Sequence, residues 1–257
     1  MHFSSINFCI FGIPAYFFCA GVGLVVAVSA FIILLSAKKY SLKLNLRILV
    51  ISIICMIVTA RFAGILSASY RNIGMGKMIT ISNITKSGIV FYGGLFGLLY
   101  SYKYCLKKLN QDKQILDILV VTIPLFHSIA RIGCFLAGCC FGKENQSCFS
   151  IEYTTSILGV ENTAQRIPVQ LYEALFNFLL FLYLLYLIKL EDWKQKNIVE
   201  VYLLIYSVGR FVLEFFRGDT VRGIINGISF SQLISISIWL NLLCKTYIKH
   251  KIKEERL

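Results

Sequence analysis

His127-Ser128-Ile129-Ala130-Arg131-Ile132-Gly133-Cys134-Phe135-Leu136-Ala137-Gly138-Cys139-Cys140-Phe141-Gly142 begins inside a strongly apolar run and leaves it through a knot of glycines and cysteines. Arg131 lies at membrane depth. A guanidinium in hydrocarbon is costly, so it marks a partner or a function. Runs of spanning length recur on both sides of this stretch, at about 14–36, 48–70, 87–102, 114–136, 168–189, 198–216 and 228–244. The pattern predicts an all-α, polytopic membrane protein with about seven transmembrane helices in a single domain over 1–257. The third and seventh runs are short and call for tilt or local thinning.

Composition agrees. The chain has 257 residues, is 57% hydrophobic and holds three prolines, which excludes an ordinary soluble domain. A net charge of +13 would suggest nucleic acid in a soluble chain. Here the basic residues sit in short loops between apolar runs. That points to the lipid bilayer and its anionic head groups as partner, with no nucleic acid. Met1 to Ile13 has no Lys or Arg and does not read as a cleavable signal peptide.

Charge also sets direction. The segments 37–47, 103–113 and 189–197 and the C-terminal tail carry 16 Lys and Arg, against seven for the opposite side. The expectation is an N-terminus outside and a C-terminus in the cytoplasm. Counting at about 1.5 Å per residue places Arg61, His127, Arg131, Arg210 and Glu214 in the outer half of the bilayer. Tyr16, Tyr92 and Glu173 reach the same depth from helices running the other way. Asp117 and Glu200 lie near inner ends. A polar cavity toward the outer leaflet follows.

His127, Arg131 and Cys134 share one helix face, as do Tyr202, Tyr206, Arg210 and Glu214. Such stripes face a cavity or each other. Pairs such as Arg131 with Glu173, or Arg210 with Glu214, could do no more than fix helix register. As a set, three arginines against two carboxylates leave surplus positive charge, with Arg217 adding to it at the rim. Planar guanidinium groups in an apolar site suit an anion, and phosphate best. Pro168 opens the fifth run, with Gln170 and Glu173 on one face; capping and interface anchoring would explain them equally. Gly93 and Gly94 read as close-packing positions. Cys134, Cys139, Cys140 and Cys148 do not match a zinc spacing; a metal site with nearby His127 is the minor alternative, a disulfide or small packing residues fit better, and no metal or cofactor is expected.

Several ordered motifs then resemble one family, the bacterial prolipoprotein diacylglyceryl transferases. They are Ile13-Pro14-Ala15-Tyr16 with Gly23, Ala60-Arg61-Phe62-Ala63-Gly64, and Phe91-Tyr92-Gly93-Gly94-Leu95. They continue with Asp117 through Pro124 to Arg131-Ile132-Gly133-Cys134-Phe135, and Arg166-Ile167-Pro168-Val169-Gln170-Leu171-Tyr172-Glu173. Tyr206 to Arg217, then Gly227-Ile228-Ser229 with Gln232, complete the set. The resemblance covers nearly the whole chain. It implies transfer of the diacylglyceryl group of phosphatidylglycerol to the lipobox cysteine of an exported prolipoprotein at the bacterial cytoplasmic membrane, releasing glycerol phosphate. It implies that Arg131 and Arg210 hold the lipid phosphate and that Tyr16, Tyr206 and Glu214 line the site. Tyr92 stands where the family has histidine, Cys134 where it has asparagine, and Cys139 where it has glutamate. Tyr92 inherits the expectation of a proton acceptor, although a phenol, with a reference pKa of about 10, is a weaker base near neutral pH. A paralogue acting on another thiol peptide, a lipid-binding scaffold without catalysis, and an anion transporter are the competing readings.

Overall fold

The computed structural model describes residues 9–10, 13–74, 76, 88–146, 150–153, 162–190, 192–218, 224–225 and 227–254. His2, Cys148 and most of the loop at 71–86 lie outside the described residues. The seven apolar runs fold as α1 (Ala15–Ala37), α2 (Leu42–Gly74), α3 (Phe91–Lys108), α4 (Ile115–Leu136), α5 (Val169–Lys189), α6 (Ile198–Glu214) and α7 (Phe230–Glu254). Three short antiparallel pairs join them: β1 (Cys9–Ile10) with β2 (Ile13–Pro14), β3 (Ile151–Tyr153) with β4 (Asn162–Arg166), and β5 (Ile224–Ile225) with β6 (Ile228–Ser229).

Three helices outrun their apolar stretches. α2 begins at Leu42 instead of about 48, α3 continues to Lys108 instead of about 102, and α7 continues to Glu254 instead of about 244. Hydropathy marks the hydrocarbon-length stretch, whereas Lys, Arg, Leu and Glu keep the backbone helical beyond it. Among the described residues, four helices, α1, α2, α4 and α5, are long and apolar enough to cross a membrane. The 22 residues of α4 reach about 33 Å, against roughly 30 Å of hydrocarbon.

Polarity runs from inside to outside. Phe17, Val25, Val50, Val58, Leu179 and Tyr186 are exposed on helix surfaces, while Asn45, Ser52, Asn177 and Ser207 are buried. Water would not tolerate that outer surface, but lipid does. The interior is tied by α2 on α3, α1 on α4, α4 on α5 and α6 on α7. The α2–α3 contact is close because Gly93, Gly94 and Gly97 face α2; a Cβ on Gly97 would overlap Thr59 Oγ1, which donates to Cys55 O at 2.8 Å.

The two carboxylates read as lying near inner ends are braces. Asp117 on α4 accepts the Val199 N–H at 3.1 Å in the first turn of α6. Glu200 pairs with Lys245 of α7. Nearby, Tyr40 donates to Asp112 at 2.6 Å and Tyr102 donates to buried Asn45 at 2.9 Å. Burial, then the bond to Asp112, raises the Tyr40 phenol above its ordinary range.

At the other end, the backbone after α4 is gripped on both sides. Gly142 N–H donates to Ile167 O (2.9 Å) and Lys143 N–H to Phe216 O (2.9 Å). In return, Ile167 N–H reaches Lys143 O (3.1 Å) and Gly218 N–H reaches Phe141 O (3.1 Å). This three-way crossing joins the starts and ends of α4, α5 and α6 beside the site.

Candidate active site

Glu173 is the centre. It lies one turn into α5, and its side chain is only 2% exposed. Arg131 Nη2 of α4 approaches Glu173 Oε1 at 3.1 Å. Arg210 Nη1 of α6 is 3.9 Å from the same oxygen, and Arg217 Nη1 is 3.8 Å from Oε2. His127 Nε2 lies 3.6 Å from Oε1. Glu214 Oε2, one turn beyond Arg210, pairs with Arg210 Nη2 at 2.9 Å. Both ion pairs suggested by register are therefore present, but they form one network. Among the described residues, the guanidinium groups of Arg131, Arg210 and Arg217 gather around Glu173, with Glu214 on Arg210.

Each nitrogen of Arg131 has a separate task. Nε donates to His127 Nε2 at 3.1 Å, Nη1 meets Cys134 Sγ at 3.7 Å, and Nη2 faces Glu173. The bond to His127 assigns the imidazole hydrogen to Nδ1. Nδ1 is buried without a hydrogen-bond partner among the described residues. The ring stacks on Phe91 with centroids 4.0 Å apart. Arg210 Nη2 also reaches Ser231 Oγ of α7 at 3.4 Å, whereas its Nη1 is buried with no hydrogen-bond acceptor among the described residues.

An aromatic wall lies below. Tyr206 packs against His127 (5.7 Å), Phe91 (5.3 Å) and Tyr92 (5.6 Å between centroids). Its hydroxyl is buried without a hydrogen-bond partner among the described residues. Tyr92 is 2.8 Å from Ser235 Oγ, and Ser235 donates to Ser231 O at 3.1 Å. The single hydroxyl hydrogen of Ser235 is thus used, so Tyr92 is the donor to Ser235.

Gln170, Tyr16 and Arg61 complete the expected set. Gln170 Nε2 donates to Cys139 O at 2.7 Å, holding the loop after α4. Tyr16 is half-buried, and its carbonyl would lie 3.3 Å from a Cβ on Gly133, so the α1 start sits against the end of α4. Arg61 is exposed on α2. Ser231, Ser235 and Phe91 were not singled out by sequence: small hydroxyls on an apolar helix and one more phenylalanine carry no signal alone.

The sequence profile of the prolipoprotein diacylglyceryl transferases matches residues 5–247. The chain belongs to this family. A Clostridium tetani relative is 38% identical over 151 residues, 58% of this chain and 59% of its own length. One from Clostridium perfringens is 36% identical over 59% of each chain. The chain thus spans about three fifths of these two relatives. A Finegoldia magna relative is 30% identical over 91% of this chain and 90% of its own. Those from Clostridium tetani and Finegoldia magna bear the name phosphatidylglycerol–prolipoprotein diacylglyceryl transferase. In this chain Cys134 adjoins the Arg131 end of the charged network, Cys139 contacts Cys134 O at 3.6 Å, and Tyr92 is part of the aromatic wall.

Proposed function

We propose that this protein moves the diacylglyceryl group of phosphatidylglycerol to the lipobox cysteine thiol of an exported prolipoprotein and releases glycerol phosphate. The observation that carries the reading is Arg210 Nη1, a buried charged donor with no hydrogen-bond acceptor among the described residues, held beside Arg131 and Glu173. A buried unsatisfied guanidinium N–H calls for an oxygen ligand, and a phosphate oxygen between Arg131 and Arg210 supplies one.

The chemistry balances without an added reagent. The thiol sulfur attacks the glyceryl carbon next to the phosphoester. The S–C bond forms as the C–O bond breaks, and the thiol proton ends on the departing phosphate. Arg131 and Arg210 stabilise the charge that grows on that phosphate, where pre-aligned donors are worth most. Glu173 and Glu214 hold the guanidinium groups in place. Tyr206 and Tyr16 line the lipid. Tyr92 commits its hydrogen to Ser235 and stands in the aromatic wall beside Tyr206. It shapes that wall and does not act as the base. Gln170 and His127 fix the surrounding loop and guanidinium, and Arg61 lies toward incoming lipid.

We place the site toward the outer leaflet of the bacterial cytoplasmic membrane, with seven crossings, the N-terminus outside and the C-terminus in the cytoplasm. Asp117 and Glu200 serve as braces at the far end, which argues against a transport route. The test is thioether transfer to a lipobox peptide in phosphatidylglycerol membranes. Wild type yields diacylglyceryl peptide and glycerol phosphate, and Arg210→Ala lowers the rate by about 10²–10³-fold. Undiminished transfer by the variant refutes the clamp. Lipid binding without glycerol phosphate release by wild type identifies a scaffold instead.

A further inference from the structure

Cys134, Cys139 and Cys140 bring their three sulfur atoms within 4.8 Å of one another. Cys134 sits in the last turn of α4 and is buried; the other two lie in the following loop, half-buried. None of the three is in a disulfide. The chain reaches this arrangement by an unusual turn. Gly138 has φ +63°, and Cys140 has φ +61°, a left-handed conformation uncommon for a residue with a side chain. Gln170 pins the loop through Cys139 O. Arg131 Nη1 contacts Cys134 Sγ at 3.7 Å.

Zinc bound by thiolates at about 2.3 Å sets its sulfurs about 3.8–4.0 Å apart. The cluster therefore needs under about 1 Å of closure to reach that geometry, whereas a disulfide needs one pair to close to about 2.05 Å. Three thiolates around one divalent zinc leave a single negative charge, and Arg131 is in contact to balance it. The spacing hid the site because one ligand ends a helix and the other two follow a left-handed turn.

We propose that Cys134, Cys139 and Cys140 hold one zinc ion whose fourth position takes an external thiol. Three protein ligands with an open position are the pattern of a reactive zinc site, and zinc-bound thiols are deprotonated. Beside the phosphate clamp, that thiol is the acceptor: coordination releases its proton, which ends on the departing glycerol phosphate, and its sulfur forms the S–C bond as the C–O bond breaks. The thiol ligand rests on the transferase reading; the three-sulfur site does not.

The purified full chain is titrated with Cd²⁺, whose thiolate charge-transfer absorption reports sulfur ligation, and zinc content is measured by elemental analysis. One ion per chain is expected, lost in Cys134→Ser/Cys139→Ser/Cys140→Ser and kept in Cys55→Ser/Cys244→Ser. In the unmutated protein, Zn²⁺ should shield the three thiols from alkylation, read by peptide mass spectrometry. Unshielded thiols, or a disulfide among them after purification under reducing conditions, overturn the site. A lipobox peptide with cysteine should intensify the Cd²⁺ band by one further thiolate, while the serine peptide leaves it unchanged. Equal spectra with both peptides overturn the fourth-position assignment. Transfer that fails in wild type while the ion still binds refutes the transferase reading alone.

Discussion

Glu173 decides the electrostatics of the site. It lies within ion-pair distance of Arg131, Arg210 and Arg217 together. Removing it leaves three buried guanidinium groups to repel each other, and breaking a buried pair from one side costs about 3–5 kcal/mol. Glu173→Ala should therefore unfold at markedly lower temperature in detergent, and added anionic phospholipid should recover part of the loss by supplying the missing charge. A melting curve indifferent to both changes would show that the network carries little energy. Arg131 tests geometry rather than charge. Its three nitrogens serve His127, Cys134 and Glu173 separately, and a lysine ammonium cannot span that fork. Arg131→Lys is expected to stay folded yet lose about 10²-fold in transfer rate. Full rate in the lysine variant would reduce Arg131 to a point charge. These residues were legible because arginines and glutamates in apolar runs stand out and i, i+4 spacing puts them on a face. Their meeting on Glu173 was not legible, because it depends on how α4, α5 and α6 cross.

Elements hold those crossings fixed through positions that look unremarkable in sequence. Gly97 is one: any side chain there collides with Thr59 on α2. Gly97→Val should lose about 1–3 kcal/mol by overpacking and separate α2 from α3, which carries Tyr92 and Phe91 into the aromatic wall. The measurement is thermal stability together with transfer rate; an unchanged pair of values would mean the α2–α3 contact is slack. Gly142 is the counterpart at the site end, where a Cβ would stand 2.5 Å from Ile167 O and 2.7 Å from Val169 Cγ2. The hydrogen bonds on both sides of Gly142 and Lys143 position Arg217 and the first turn of α5. Small residues were read correctly as packing positions, but the backbone crossing at 141–143 had no sequence signature, since irregular strands of two or three residues show no period. The far end shows the same limit. Asp117 marked itself as a carboxylate in an apolar run, yet its role as an acceptor for α6 comes from an element 82 residues away.

The whole molecule is built for lipid on its outside, with large apolar side chains facing outward and asparagines, serines and charged groups within. That arrangement follows from seven apolar runs, and the helices fall where hydropathy puts them except where they outlast the apolar stretch. α7 is the informative case. Its extension carries Lys245, Lys249, Lys251 and Lys253 on a helix that continues past the hydrophobic span. A basic helix just beyond a span is drawn to anionic head groups, at about 1 kcal/mol per charge near the surface. The 16 Lys and Arg assigned to that side, against seven on the other, support the proposed orientation, with the C-terminus in the cytoplasm and the Arg131–Glu173 cluster toward the outside. A fluorescent protein fused after Leu257 should therefore mature and fluoresce in intact cells, and an exported phosphatase fused there should be inactive. The same phosphatase inserted between Gln146 and Ser150 should be active. Because the inner charges are spread over three loops and a tail, replacing the four lysines of α7 with glutamine should lower membrane affinity of the tail without inverting the protein. An active phosphatase at the C-terminus of the unmodified chain would reverse the orientation and, with it, the outer-leaflet placement of the phosphate clamp.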